Sequence, residues 1–526
     1  MKNNVNLIVV LFFWGISCFA GLGQTLTKQD YSKLARLFAK DVQLKTGSRE
    51  AYANYQSTRS QAPFSHSRVL ALDGSLNKNI GIDKILIIVN SSMYNQLTDK
   101  INRYAHDINN VYKCEIIMEI FTGGDHADVK DLIVSNQNNL SGVVFIGNIP
   151  AAWFEISDDF NEYGYASWPC DLYYMDLNGE WIDTDGNGIY DSHIGDVEPE
   201  IFVGRISTAN MGRLLSEKVG LERYLDKNHK FWIGETPVNK KFGLSYTDHD
   251  WLPNYDIKTD IQYLYGELNY DTIAYGDPFF GKADYLDRLS NNRYEFIQLA
   301  CHAGHDYLAM SEGGIPSSEI FNNGTEAIGY NLFCCSAADW TAVFRLSIQG
   351  FLAGSHVYNA NNSSLVAVGS TKTGSMLNFD KFYIPLGEGK SIGESLKLWW
   401  ITAYGTMREE WVISWHYGMS IIGDPMVNFY HSIDNAQGLA SYFSEKNKVY
   451  FDATKQVIVI DKVIQNQSLT LELMDLQGKV ILRKKDVDNT PINIENLPDG
   501  VYLYRLLQDG QVIYTGKILK RAKSLI

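Results

Sequence analysis

The sequence predicts an α/β protein, a doubly wound and mostly parallel sheet followed by a small all-β sandwich. Three observations carry this. Between about residues 83 and 430, apolar runs of strand length alternate with longer stretches of helical spacing. From residue 449 onward the chain turns to short strands separated by Gly- and Asp-rich turns. The 526 residues are 45% hydrophobic and 13% aromatic, enough for a large core, and a prior of roughly 150 residues per domain allows three or four domains.

The chain begins with a targeting pattern. MKNN is a charged start, VNLIVVLFFWGISCFA an apolar stretch and GLGQ a small-residue exit, which predicts a signal peptide over residues 1–24. Residues 25–82 are polar and Ser/Gln-rich, with one amphipathic stretch, YSKLARLFAKDV; they form either a pro-segment or an N-terminal extension. No later segment is apolar enough to span a bilayer, so no membrane-spanning segment is expected in the mature chain.

From residue 83 the alternation starts. KILIIVN is a buried strand, SSMYNQLTDKINRYAHDINNVY a helix and CEIIMEIF the next strand. VKDLIVSNQNN is a second helix, and SGVVFIGNIP a third strand ending in a turn. After an irregular stretch come the strand EPEIFVGRIS, the helix NMGRLLSEKVGLERYLD and the strand KKFGLSYTD. YEFIQLACHAGH and GYNLFCCSAADW are two further strands; LVAVGSTKTG and the helix IGESLKLWWITAY follow. Residues 431–445 form a linker, and VIVID, LTLELMDLQGKVI and VYLYRLLQDGQVI are strands of a terminal module over 446–526. Strands alternating with helices imply a parallel sheet, whose active residues sit just past the carboxyl ends of strands.

Charge and cysteine content narrow the function. The formal net charge of −15 argues against a nucleic-acid groove, which needs clustered Lys and Arg. Outside the expected signal peptide stand Cys114, Cys170, Cys301, Cys334 and Cys335. An odd number in an exported chain leaves a thiol unpaired and open to a reactive role. Neighbouring Cys334 and Cys335 are poorly placed to bond to each other, and no CxxC spacing points to zinc.

His302 and Cys335 each end an apolar strand, 33 residues apart. One crossover would set them side by side at a sheet edge, where a thiol and an imidazole support nucleophilic catalysis. A second cluster is DTDGNGIYD, residues 183–191. Asp183, Asp185, Asn187 and Asp191 offer oxygen ligands, and Gly186 and Gly188 let the loop wrap a cation. Structural Ca2+ is therefore the expected cofactor, and a solvated Asp/Gly turn is the alternative.

The motifs IQLACHAG and LFCCSAADW resemble the strand–His–Gly and strand–Ala–Cys motifs of caspase-like cysteine peptidases. The resemblance is greatest to the gingipain family, in which the nucleophile stands in a Cys-x-x-Gly-Asp-Phe context; Cys335, Ala338, Asp339 and Trp340 occupy those places. PEIFVGRIS and YGMSIIGDPMVNF look like two further landmarks of that family. The resemblance implies a caspase-like sheet and an acyl-enzyme endopeptidase. Cys335 would be the nucleophile and His302 the general acid/base, with an oxyanion hole of N–H groups near Cys335 and Ala303. It also implies a carboxylate that orients the His, for which Asp248 stands at the matching point and Asp250 in reserve; a helix N-cap or surface-loop carboxylate is the alternative for Asp248. His305 is a second candidate base. Asp260, in TDIQY, matches the Asp that receives a basic substrate side chain.

The departures are Ala303, where the family has Gly, and Cys334, where it has Ala. Ala303 keeps an inactive surface or adhesion protein open as the alternative; a sortase-like transpeptidase using the same Cys/His chemistry is another. ELMDLQGKVI, INIENLPDGVYLYRL and TGKILKR resemble the C-terminal sorting domain of the type IX secretion system. This implies the type IX machinery as a partner and a secreted or cell-surface place on a Bacteroidetes-type bacterium, while the peptidase resemblance implies protein or peptide substrates.

Overall fold

The computed structural model describes residues 49–520 except 75–80, 237–240, 254, 292, 343–347, 360–362, 430–447, 453–456, 462–468, 476–478, 486–490 and 509–510. The expected signal peptide and the 431–445 linker lie outside the described residues. The chain divides into two compact units, Met1–Asn435 and Ala436–Ile526.

The first unit is built on one sheet. Its strands are β1 (Ser65–Leu72), β2 (Lys84–Asn90), β3 (Glu115–Thr122), β4 (Leu140–Ile146), β5 (Phe202–Ile206), β6 (Gly243–Thr247), β7 (Tyr270–Ala274), β8 (Phe296–Ala300), β9 (Gly329–Phe333), β10 (Val366–Ser370) and β11 (Met419–Gly423). They lie in the order β1-β3-β2-β4-β5-β11-β10-β9-β8-β6-β7. Every residue of β5, β6, β8, β9, β10 and β11 is buried, the mark of a sheet covered on both faces.

The predicted doubly wound, mostly parallel sheet is what the chain forms, with two additions. β11 runs antiparallel to β10 and parallel to β5, so two internally parallel halves meet head to tail. β1, from the stretch before residue 83, is an antiparallel edge strand on β3. Just upstream, the helix Arg49–Gln56 is tied to the loops, the Tyr55 hydroxyl accepting from the Ala151 N–H at 2.7 Å.

The second unit has two antiparallel sheets. Lys448–Asp452, Val457–Asp461 and Ile492–Asn493 form one; Val480–Lys484, Leu469–Met474, Gly500–Gln508 and Gln511–Lys520 form the other. Ile458 and Ile492 of the first sheet share a core with Leu471, Leu473, Tyr502 and Tyr504 of the second, which makes the unit β-rich and two-layered, as expected.

Candidate active site

The register of β8 and β9 builds the site. Ala300 pairs with Phe333, and the Cys301 N–H donates to the Phe333 carbonyl at 3.3 Å, which carries the pairing one residue further. The same offset of 33 sets Cys301 against Cys334, their sulfurs 3.7 Å apart. The next positions on the two strands are His302 and Cys335. Successive residues of a strand face opposite sides, so Cys334, turned to Cys301, leaves Cys335 to turn the other way. Cys114, Cys170, Cys301 and Cys334 are buried and free; Cys335 is free and half-buried.

His302 is gripped on one side. Its Nε2 lies 2.9 Å from Asp250 Oδ2. Burial alone would lower its pKa, but the hydrogen bonds to Asp250 and Cys335 outweigh it and push the imidazole up to about 10. The His302 hydrogen bond, aided by one from His249, holds Asp250 down at about 2 against its burial. With Nε2 committed to a carboxylate, Nδ1 is the nitrogen left to move a proton. The Trp251 ring lies 5.8 Å from the His302 ring and stands edge-on to Phe333 at 4.4 Å, closing this corner.

The expectation for Asp248 is corrected. Asp248 is buried; its Oδ1 accepts from His249 N–H at 2.7 Å and its Oδ2 from Ser311 N–H at 2.9 Å. It is the N-cap of the single turn His249–Trp251, a position that Asp favours. That turn carries Asp250, the reserve candidate, onto His302. His305 does not meet Cys335 either: its Nδ1 is 3.0 Å from Asp339 Oδ2. Ala303 sits in the two-residue strand His302–Ala303, outside the residues with positive φ, so the methyl group absent from Gly costs no backbone strain there.

The turn after Cys335 is pinned at several points. Ser336 takes a left-handed φ of 54° and its N–H donates to the Lys372 carbonyl at 2.8 Å. The Ala338 N–H donates to Ser370 at 2.9 Å, and the Trp340 ring carries the Arg205 guanidinium at 4.3 Å. Among the described residues the Cys335 N–H makes no backbone hydrogen bond, whereas those of Cys334 and Ser336 do.

Beneath this turn lies an ion pair that the sequence did not flag. Lys372 Nζ reaches Asp159 Oδ2 at 2.9 Å and the carbonyls of Thr373 and Ser414, with both charged side chains sealed from solvent. Burial pulls Lys372 below its ordinary pKa, against Asp159 and a charge on Cys335. The available signal was STKTG, a Lys just past a strand end. Beside Cys335 is a shallow, half-open depression of about 20 Å³, lined by Phe160, Tyr163, Trp251, Phe333 and Trp415 together with Thr373, Gly374 and Ser375.

Asp260 is not part of that wall. It is buried, and its Oδ2 accepts from the Asp380 N–H at the start of the helix Asp380–Gly387, at 3.1 Å.

The Asp-rich loop spends its carboxylates on itself. Asp183 accepts from the N–H groups of Gly186, Asn187 and Gly188, and Asp185 from that of Asn187. Asn187 Oδ1 accepts from Ile189, and Asp191 from the Thr184 N–H and hydroxyl. Among the described residues no group of three or more His, Cys, Asp or Glu is gathered to hold a metal ion.

Residues 448–521 match the sequence model of the secretion system C-terminal sorting domain. No curated protein matches the chain. Among solved structures, the chain is similar to the Arg-specific cysteine proteinase gingipain R, at 11% identity and a TM-score of 0.46, over 86% of this chain and 100% of that one. It is also similar to the complex of the Porphyromonas gingivalis RgpB pro- and mature domains, at 13% identity and a TM-score of 0.44, over 83% of this chain and 100% of that one. The likeness to gingipain is structural, with low identity in sequence. The sorting domain points to secretion and attachment at the cell surface in Bacteroidetes, and among the described residues no helix is long and apolar enough to cross a membrane.

Proposed function

We propose that the chain is an exported cysteine endopeptidase with Cys335 as nucleophile, His302 as general acid/base and Asp250 as the residue that positions His302. The observation that carries this reading is the hydrogen-bonded run from Cys335 to His302 to Asp250 at the ends of neighbouring strands. Its sulfur attacks the peptide carbonyl and an acyl-thioester forms. His302, protonated at neutral pH with its pKa raised to about 10, gives a proton to the leaving amine. The imidazole then takes a proton from the water that hydrolyses the thioester. The Cys335 N–H is the first candidate to hold the developing oxyanion. Ala303, which kept the inactive reading open, lies where its side chain adds no strain, and this weakens that reading.

The test is hydrolysis of a fluorogenic peptide library by the secreted protein under reducing conditions, beside Cys335→Ala. Turnover that falls by at least 10³-fold in the variant is the expected result. Equal turnover in both proteins would remove Cys335 from the chemistry. Absence of turnover in both, even after trimming of residues before Arg49, would favour a surface-binding role.

A further inference from the structure

The depression beside Cys335 has a composition that the resemblance to Arg-specific enzymes does not anticipate. Aromatic rings from separate segments make its walls: Phe160 and Tyr163 from the long loop after β4, Trp251 from the turn after β6, Phe333 from β9, and Trp415. Gly374 leaves its floor bare. With φ at +116° and a methyl group there placed 2.6 Å from the Trp415 carbonyl, the position is reserved for glycine.

Among the described residues no carboxylate lines this space. Of the acids next to its wall in sequence, Asp159 is sealed and bound to Lys372, Asp250 is paired with His302, and Glu162 is exposed and does not line the space. A guanidinium or ammonium entering such a pocket would lose its water and find no counter-charge, whereas an apolar side chain would lose only unfavourable hydration.

We infer that this pocket receives the side chain of the residue whose carbonyl Cys335 attacks, and that it selects a large apolar or aromatic side chain over Arg or Lys. The inference rests on the peptidase reading and specifies its substrate class: proteins cut after residues such as Phe, Tyr, Leu or Met. Aromatic walls also suit aromatic guests, since ring pairs gain from edge-to-face and offset contacts beyond the area they bury.

The experiment uses two peptidyl acyloxymethyl ketones that differ only in the residue next to the ketone, Phe in one and Arg in the other. The Cys335 sulfur displaces the acyloxy group as a carboxylate: a C–S bond forms, a C–O bond breaks, and the adduct is read by intact mass and peptide mapping. Iodoacetamide, which has no side chain to select, is the common reference. Labelling of Cys335 by the Phe reagent at least 10-fold faster than by the Arg reagent, each relative to iodoacetamide, is the expected result.

Equal or faster labelling by the Arg reagent overturns the inference and leaves the peptidase reading standing. If iodoacetamide modifies Cys335 while neither peptidyl reagent does, both fall together. In Tyr163→Ala, which removes one partly exposed wall, the Phe preference should shrink several-fold at an unchanged melting temperature. An undiminished preference in that variant would place the selecting surface elsewhere.

Discussion

On β5, near its carboxyl end, Arg205 meets Asp171 at 2.7 Å, and each side chain is 2% exposed. Just past the end of β8, His302 meets Asp250 at 2.9 Å, and there the carboxylate is 39% exposed. Both are cation–carboxylate pairs at strand ends of one sheet, one in each half. The first is closed on every side: Arg205 also donates to the carbonyls of Ile149 and Pro150 and stacks on Phe145 and Trp340. The second stands beside the open depression next to Cys335. The difference teaches that charge at a strand end is not by itself a sign of chemistry. A sealed pair holds loops in place; an open pair beside a thiol can pass a proton.

This contrast can be broken from either side. The largest effect is expected from Arg205→Ala, which strands a buried carboxylate and releases Trp340 from its cation. Denaturant unfolding should show a loss of about 3–5 kcal/mol. A loss under 1 kcal/mol would mean that the pair is no anchor. Next comes Asp250→Asn, which keeps the shape and removes the charge. It should lower kcat by about 10- to 100-fold with little change in KM. Asp248→Asn should instead cost about 1 kcal/mol of stability, because an NH2 group replaces one of the two oxygens that accept from the His249 and Ser311 N–H groups, with a smaller effect on kcat. If kcat falls further in Asp248→Asn, the assignment of the two carboxylates is reversed.

A smaller effect is expected in the pH dependence of stability. His302 is raised from an ordinary value of about 6.5 to about 10, so its contribution is complete below about pH 6.5, declines above it and is gone beyond about pH 10. Asp250 is lowered from about 3.9 to about 2, so its contribution is complete above about pH 3.9 and lost as pH falls through about 2. The melting-temperature advantage of the parent protein over Asp250→Asn should therefore peak between about pH 4 and 6.5 and shrink on both sides. A difference that stays flat from acid to alkali would remove the ion pair as its source. The smallest effect is expected from chelation: with the carboxylates of the Asp183–Asp191 loop already engaged, excess EDTA should leave the melting temperature unchanged. A fall of several degrees, restored by Ca2+, would show that the loop rearranges to bind the ion.

Much of this architecture was legible in the sequence because burial on both faces writes itself as unbroken apolar runs. β8 and β9 are such runs, and His302 and Cys335 stand out because each follows one. What periodicity does not carry is direction, and so the antiparallel junction of β10 with β11 was not foreseen. Asp248 and Asp250 were confused for a different reason. They stand two residues apart, and which of them turns to His302 depends on the turn that Asp248 caps. Asp260 was placed by resemblance alone, and a local backbone hydrogen bond claims it instead. The pocket wall was invisible because Phe160, Tyr163, Trp251, Phe333 and Trp415 come from distant stretches, each unremarked where it stands.

The pairing of Ala300 with Phe333 has a consequence for how such a site can diverge. Hydrogen bonds between two strands, not the length of chain joining them, set His302 beside Cys335. The crossover between them is thus free to grow, shrink or acquire new recognition surfaces in descendants of this gene, or in an engineer's library, while the dyad keeps its spacing. A single-residue slip of either strand would separate the pair at once. Natural variation should therefore gather in the connecting loop and be all but absent from the paired strands.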